Sequence, residues 1–166
     1  QSNTKLLAIL ANERGAFDAA SYDEITYLGY PFSISETFQK RNTNASIEES
    51  LVRVEEIKKI CDSNNKRLLV YISMAFGNPY GDEWNSDIAI KWCNELYSKL
   101  NIKDIALADT IGISNPDNIQ ELFSSLIPAL PMVNFGAHLH TTPHTWQEKV
   151  EAAWLSGCRN FDGAIR

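Results

Sequence analysis

The longest apolar run, Leu68 to Phe76, is less than half the ~20 residues that a bilayer-spanning helix needs, so no transmembrane segment is expected. Positive charge is also in short supply. Fifteen Lys and Arg stand against 21 Asp and Glu, a net charge of −6, and cations adjoin only in short pairs such as Lys40-Arg41 and Lys66-Arg67. A nucleic-acid-coating surface is therefore excluded, and an anionic ligand must be held locally. Cysteine is scarce: Cys61, Cys93 and Cys158 are odd in number and far apart, which suits neither a disulfide framework nor a paired-thiolate zinc site. They read as reduced intracellular thiols. Asn44-Ala45-Ser46 fits the N-glycosylation pattern, but three residues match by chance too often to outweigh the cysteines. There is no linker, low-complexity tract, nucleotide-binding glycine loop, Ser-His-Asp or Cys-His order, or glycosidase carboxylate pair.

What is present is ordinary globular material, 44% hydrophobic and 22% charged over 166 residues, enough for one domain with a continuous core. Short apolar runs at 4–11, 24–32, 67–76, 104–109, 133–140 and 160–165 read as strands buried on both faces. Segments with helical spacing lie between them. The clearest is 46–63, where Ile47, Leu51, Val54, Ile57 and Cys61 form one inward stripe behind a Ser46/Glu49 capping box. Asn115-Pro116 reads as a cap and first turn, Thr145 with Glu148 as a second box, and Gly157 as a helix stop.

Six strands alternating with five helices predict a parallel α/β fold. Local periodicity does not separate a doubly wound sheet from a TIM barrel. The chain starts with Gln and stops just after a strand, so it reads as an excerpt: a partial barrel domain over 1–166, lacking the first two strands and whatever follows the last one. Open sheet edges would then favour self-association.

In parallel α/β folds chemistry collects at the carboxyl ends of strands. The candidates there are Asn12 and Glu13; Ser33, Ser35 and Glu36; Ser73 with the loop GNPYGDEW; Asp109 and Thr110; and His138 and His140. Residues i and i+2 of a strand face the same way, so His138 and His140 either converge on one cation or serve as one core hydrogen-bonder and one solvated residue. Imidazole alone favours Zn, Mn or Fe over Mg. Asp109, before a turn at Gly112, either orients a ligand or caps backbone amides. Lys40 and Arg41 either meet a phosphate or are solvated. GNPYGDEW is either a mobile loop over the mouth or an ordinary connection. Asp162 stays outside the candidate site because the side of the sheet it faces is undetermined, and His144 is taken as a surface residue.

Taken together, SISETFQKRNTNASIEES, YISMAFGNPYGDEW, IALADTIGISNPDNI, GAHLHTTP and CRNFDGAI resemble the 3-hydroxy-3-methylglutaryl-CoA lyase family, in register from about Leu7 to Arg166. The resemblance implies a TIM barrel that cleaves this acyl-CoA to acetyl-CoA and acetoacetate with a divalent cation, Mg²⁺ or Mn²⁺. It implies His138 and His140 as metal ligands, Asp109 as an active-site carboxylate, and Asn12, Glu36, Asn44 and Ser73 as substrate-binding positions along the mouth. It also implies a homodimer. The family's metal-binding Asp beside a catalytic Arg, its glycine-rich loop with a catalytic Cys, and its metal-binding Asn have no counterpart in the sequence, and Cys158 is not that cysteine. Thr141 stands where the family usually has Asp. Homocitrate and isopropylmalate synthases are relatives, so a related aldol-type reaction is an alternative, as is a non-catalytic barrel acting as an interaction module. The cytoplasm is the default location.

Overall fold

A computed structural model describes residues 4–163. Along the chain run β1 (Leu6–Ile9), α1 (Glu13–Ala20), β2 (Ile25–Ser33), α2 (Glu36–Thr43), α3 (Ile47–Ser63), β3 (Arg67–Ser73), α4 (Ser86–Leu100), β4 (Asp104–Ala108), α5 (Pro116–Ala129), β5 (Asn134–His138), α6 (Trp146–Leu155) and β6 (Asn160–Asp162). Residues 164 and 165 of the last expected strand lie outside the described residues.

The six strands form one sheet in the order β1-β2-β3-β4-β5-β6, every neighbouring pair parallel. That order decides between the two architectures open at the level of sequence. A doubly wound sheet reverses its strand order at a switch point and carries helices on both faces. Here no reversal occurs, and right-handed crossovers taken always in one direction put the helices on one side. The sheet curls into an open, barrel-like half with helices outside.

Alternation along each strand sorts the side chains. Leu28, Tyr30 and Phe32 of β2, Leu68, Val70 and Ile72 of β3, Ile105 and Leu107 of β4, and Phe135 and Ala137 of β5 enter the large core beneath the helices. Tyr71, Ala106 and Ala108, with Leu69, form a smaller cluster on the inner face. Tyr30 places its hydroxyl 3.0 Å from Ser50 Oγ, fastening α3 to β2. The inner face bounds a concavity of about 520 Å³, with Arg67, Asp104 and Asn134 at the amino ends of the strands.

Three expectations need correcting. The outer strands are not buried on both faces: Leu6 and Ile9 of β1 are 51% and 62% exposed, and all of β6 is exposed, because each has a neighbour on one side only. There are six helices among the described residues, not five. The extra one, α2, is polar enough to read as a loop, yet Ser35 caps it by accepting from Phe38 N. The second capping box is absent. Thr145 accepts no helix amide; its hydroxyl instead receives Thr142 N at 2.9 Å, holding the turn before α6.

The other boundary signals hold. Ser46 and Glu49 make the reciprocal box at α3, Asn115 caps α5 with Pro116 at its start, and Gly157 follows α6 with a positive φ. All three cysteines are buried. Burial pushes the Cys61 thiol up to about 11 and Cys93 to about 12.

Ser46→Ala removes one half of the α3 box and is expected to lower unfolding free energy by about 1 kcal/mol, with an unchanged urea m-value. Urea denaturation followed by circular dichroism measures both.

Candidate active site

The parallel ladder aligns the carboxyl ends of five strands. Ser33 pairs with Ser73, Ser73 with Ala108, Ala108 with His138 and His138 with Asp162. The side chains this level turns inward are those able to meet a ligand.

His138 is the last residue of β5, and His140 lies just beyond the strand. Their ring centroids are 5.6 Å apart, with planes at 62°. Two imidazoles bound to one ion through nitrogens at about 2.1 Å bring their centroids to roughly 4.5–5.5 Å. The pair thus stands slightly wider than a shared cation would hold it, and a small rotation of either ring brings it into range. Asp162 Oδ1 lies 3.2 Å from His138 Nδ1, leaving Nε2 for a metal. A carboxylate behind a ligating imidazole is a recurrent arrangement, since it fixes the ring and its tautomer. Among the described residues no group of three or more His, Cys, Asp or Glu side chains could hold a metal ion, so the two imidazoles are the donors these residues offer.

Tyr71, inward from β3, meets the His138 ring edge-on with centroids 5.6 Å apart and donates its hydroxyl to Asp162 Oδ2. Each group shifts in the direction its surroundings dictate. The Asp162 hydrogen bond raises the His138 pKa against the opposing effect of burial. Burial raises that of Asp162, but the bonds from His138 and Tyr71 outweigh it and leave the carboxyl below its ordinary value. Burial, then the Asp162 bond, pushes the Tyr71 phenol well up.

Asp109 lies elsewhere. One residue past inward-facing Ala108, it falls by alternation on the helix side, 1% exposed. Its Oδ1 accepts Ser114 N at 3.0 Å, and its Oδ2 accepts Ser114 Oγ at 2.6 Å and Lys149 Nζ at 3.1 Å. Of its two expected roles, the geometry gives backbone capping together with a buried ion pair. Gly112 closes the intervening turn with φ +74°, donating to Asp109 O.

The four expected substrate positions divide. Asn12 and Asn44 line one groove of about 630 Å³ with Arg41 and Arg53. Asn12 also caps α1 by accepting from Gly15 N, and Asn44 ends α2 in the left-handed region, φ 52°. Glu36 is turned to the helices: it accepts Ile47 N at 3.0 Å and pairs with Lys40 at 2.9 Å, and the Lys40 bond holds its carboxyl below the usual range. Ser73 is buried at the inner rim, 5% exposed. Lys40 is thus engaged by Glu36, while the Arg41 guanidinium lies 4.8 Å from the Tyr80 ring centroid. His144 is exposed, and Cys158 packs between α6 and β6.

The GNPYGDEW loop is tied down. Asp82 accepts from Ser35 Oγ at 2.6 Å, Thr37 N at 2.9 Å and Thr37 Oγ1 at 2.8 Å, and Trp84 donates to Ala75 O. Sequence reasoning missed Asp82, Asp162, Tyr71 and Lys149. Counting alternation from a paired β6 would have found Asp162, and a lysine four residues before buried Ala153 was the signal for Lys149.

The HMGL-like family model matches residues 3–166. The chain belongs to the HMGL-like family. Among curated relatives, hydroxymethylglutaryl-CoA lyase of Pseudomonas mevalonii is 30% identical over 158 residues, 95% of this HMGL-like chain and 52% of the relative. The mitochondrial hydroxymethylglutaryl-CoA lyase of Homo sapiens is 32% identical over 75% of this chain and 37% of its own length. The solved HMG-CoA lyase of Bacillus subtilis superposes with a TM-score of 0.89 at 27% identity, covering 99% of this chain and 55% of that one. This HMGL-like chain thus spans about half the length of the bacterial curated relatives it matches.

Ser35 and Thr37 hold the Asp82 carboxyl below its ordinary value, so the tether's contribution is complete above about pH 4 and lost as pH falls through the lower folded-state value. Asp82→Ala is expected to cost about 1–2 kcal/mol and speed hydrogen exchange at the Thr37 amide near neutral pH. Exchange unchanged at Thr37 would show that the tether is not needed there.

Proposed function

We propose that the chain is the larger part of the catalytic barrel of a carbon–carbon lyase that cleaves (S)-3-hydroxy-3-methylglutaryl-CoA to acetyl-CoA and acetoacetate. The observation that carries this is the His138–His140 pair at the barrel rim, backed by Asp162, in a chain whose relatives bear that lyase's name. His138 and His140 would hold a divalent cation, Mg²⁺ or Mn²⁺. When bound, it lowers the pKa of the substrate's tertiary hydroxyl and fixes the substrate's orientation.

Cleavage breaks the bond between the carbinol carbon and the carbon alpha to the thioester. The hydroxyl proton goes to a general base, and the oxygen's electrons become the ketone of acetoacetate. The electron pair of the broken bond remains on the acetyl-CoA half as an enolate, which takes a proton from a general acid. Within this chain His138 and His140 hold the hydroxyl end, while Asp162 and Tyr71 fix the His138 ring. Asn12 and Asn44 offer amides to the acyl-CoA along their shared groove, Ser73 lies beneath the reacting atoms, and Glu36 keeps the start of α3 in place beside them. Asp109 serves the active site by holding Lys149 rather than by meeting substrate.

In this reading the partner is an acyl-CoA and the working form a cytoplasmic homodimer. The acidic balance disfavours nucleic acid, and among the described residues no helix is long and apolar enough to cross a membrane.

Acetoacetate release is the direct test, on the 166-residue chain and on a chain extended at both ends, with Mn²⁺ and with EDTA. The extended protein is expected to turn over only with metal, to lose about a hundredfold or more on His138→Ala, and to outpace the shorter chain. Equal rates from both lengths, or turnover in EDTA, would overturn this assignment. Release of free CoA from acetyl-CoA and a 2-oxo acid, without acetoacetate, would place the protein with the condensing synthases.

A further inference from the structure

We infer that Lys149 is the positioning residue for His140, so that α6 sets the geometry of the histidine pair. This rests on the metal-binding reading above.

Lysine is almost never fully buried unless its charge is paired, and Lys149 is 5% exposed. Its ammonium has three donors. One goes to Asp109 Oδ2 at 3.1 Å and one to the backbone carbonyl of His140 at 2.9 Å. The carboxylate is itself immobilised: its side chain is wholly buried, and Ser114 donates to it from both amide and hydroxyl. The ammonium is therefore fixed at the junction of β4 and α5, and its second bond carries that fixed point to the peptide after His140.

That bond matters because little else restrains His140. The ladder ends at His138, whose carbonyl accepts Asp109 N at 2.9 Å and which pairs with Asp162 on the other side. Beyond it the chain leaves the sheet. Among the described residues the Lys149 contact is the only hydrogen bond His140 makes. The two imidazoles are thus held differently: His138 by the strand and by Asp162, His140 by a lysine reaching across from α6. Lys149 cannot swing aside without leaving Asp109 a buried, uncompensated charge, which keeps the bond in place. The ring separation of 5.6 Å, close to what a shared cation needs, depends on it.

The test is a Mn²⁺ titration of the 166-residue chain, read by paramagnetic broadening of histidine imidazole NMR signals, with metal-free spectra alongside. Lys149→Met is expected to weaken Mn²⁺ binding by about tenfold or more, the effect usual for removing a group that orients a metal ligand. Without metal it should shift the His140 imidazole signals and leave those of His138 in place. Ser156→Ala removes the hydroxyl's bond to Ala152 O at the end of α6 without touching Asp109, Lys149 or His140, and should keep affinity within about twofold. Unchanged affinity in folded Lys149→Met overturns the inference, as does an equal loss in Ser156→Ala, which would mark general loosening of α6. Should Lys149→Met not fold, Lys149→Met combined with Asp109→Asn removes both charges together and is read in the same way. His138→Ala separates the two levels. If Mn²⁺ binding ignores it, the metal reading falls and takes this inference with it; if it abolishes binding while Lys149→Met does not, only the role of Lys149 falls.

Discussion

The register of the parallel ladder decides which side chains can act. Ser33, Ser73, Ala108, His138 and Asp162 stand at one level because the backbone pairs them there, and alternation sends everything at that level inward. A slip of one residue in β5 would turn His138 to the helices and bring Ala137 to the rim. The same rule, one residue further along β4, takes Asp109 out of the mouth. The candidate site is in this sense a by-product of hydrogen bonds between strands, and the helical core beneath them keeps that pairing in register.

Three aspartates illustrate how placement divides labour among identical groups. Asp162 stands on an exposed edge strand and braces an imidazole and a phenol. Asp109 is sealed from water and neutralised by a lysine. Asp82 belongs to a loop and binds it to the start of α2 through hydroxyls and an amide. Each is satisfied by a donor set matched to its exposure: charge where water is excluded, neutral donors where it is not.

Much of the architecture could be read before any coordinates. Strands buried between helices and an inner face leave continuous apolar runs, so β2, β3, β4 and β5 were legible, as was α3 from its stripe and capping box. The H-x-H pair was legible because strand parity is a local property. What depended on relations between distant segments was not. Strand order separates a barrel from a doubly wound sheet, and no local pattern records it. Asp162 was ambiguous because a three-residue strand carries too little alternation to fix its facing. Helix α2 was hidden because its stability comes from a cap and from Gln39 donating to Thr43 Oγ1 rather than from an apolar stripe. Thr145 had the right spacing for a cap, but a competing turn took its hydroxyl.

The cysteines carry a consequence for how the molecule can be observed. Cys61 and Cys93 are enclosed in the helical core, their thiols kept protonated by burial, and Cys158 is enclosed as well. Alkylation requires thiolate and access, and the native fold withholds both. A sulfhydryl reagent therefore leaves the intact molecule alone and tags those that have opened, so its labelling rate is a clock for excursions out of the native state.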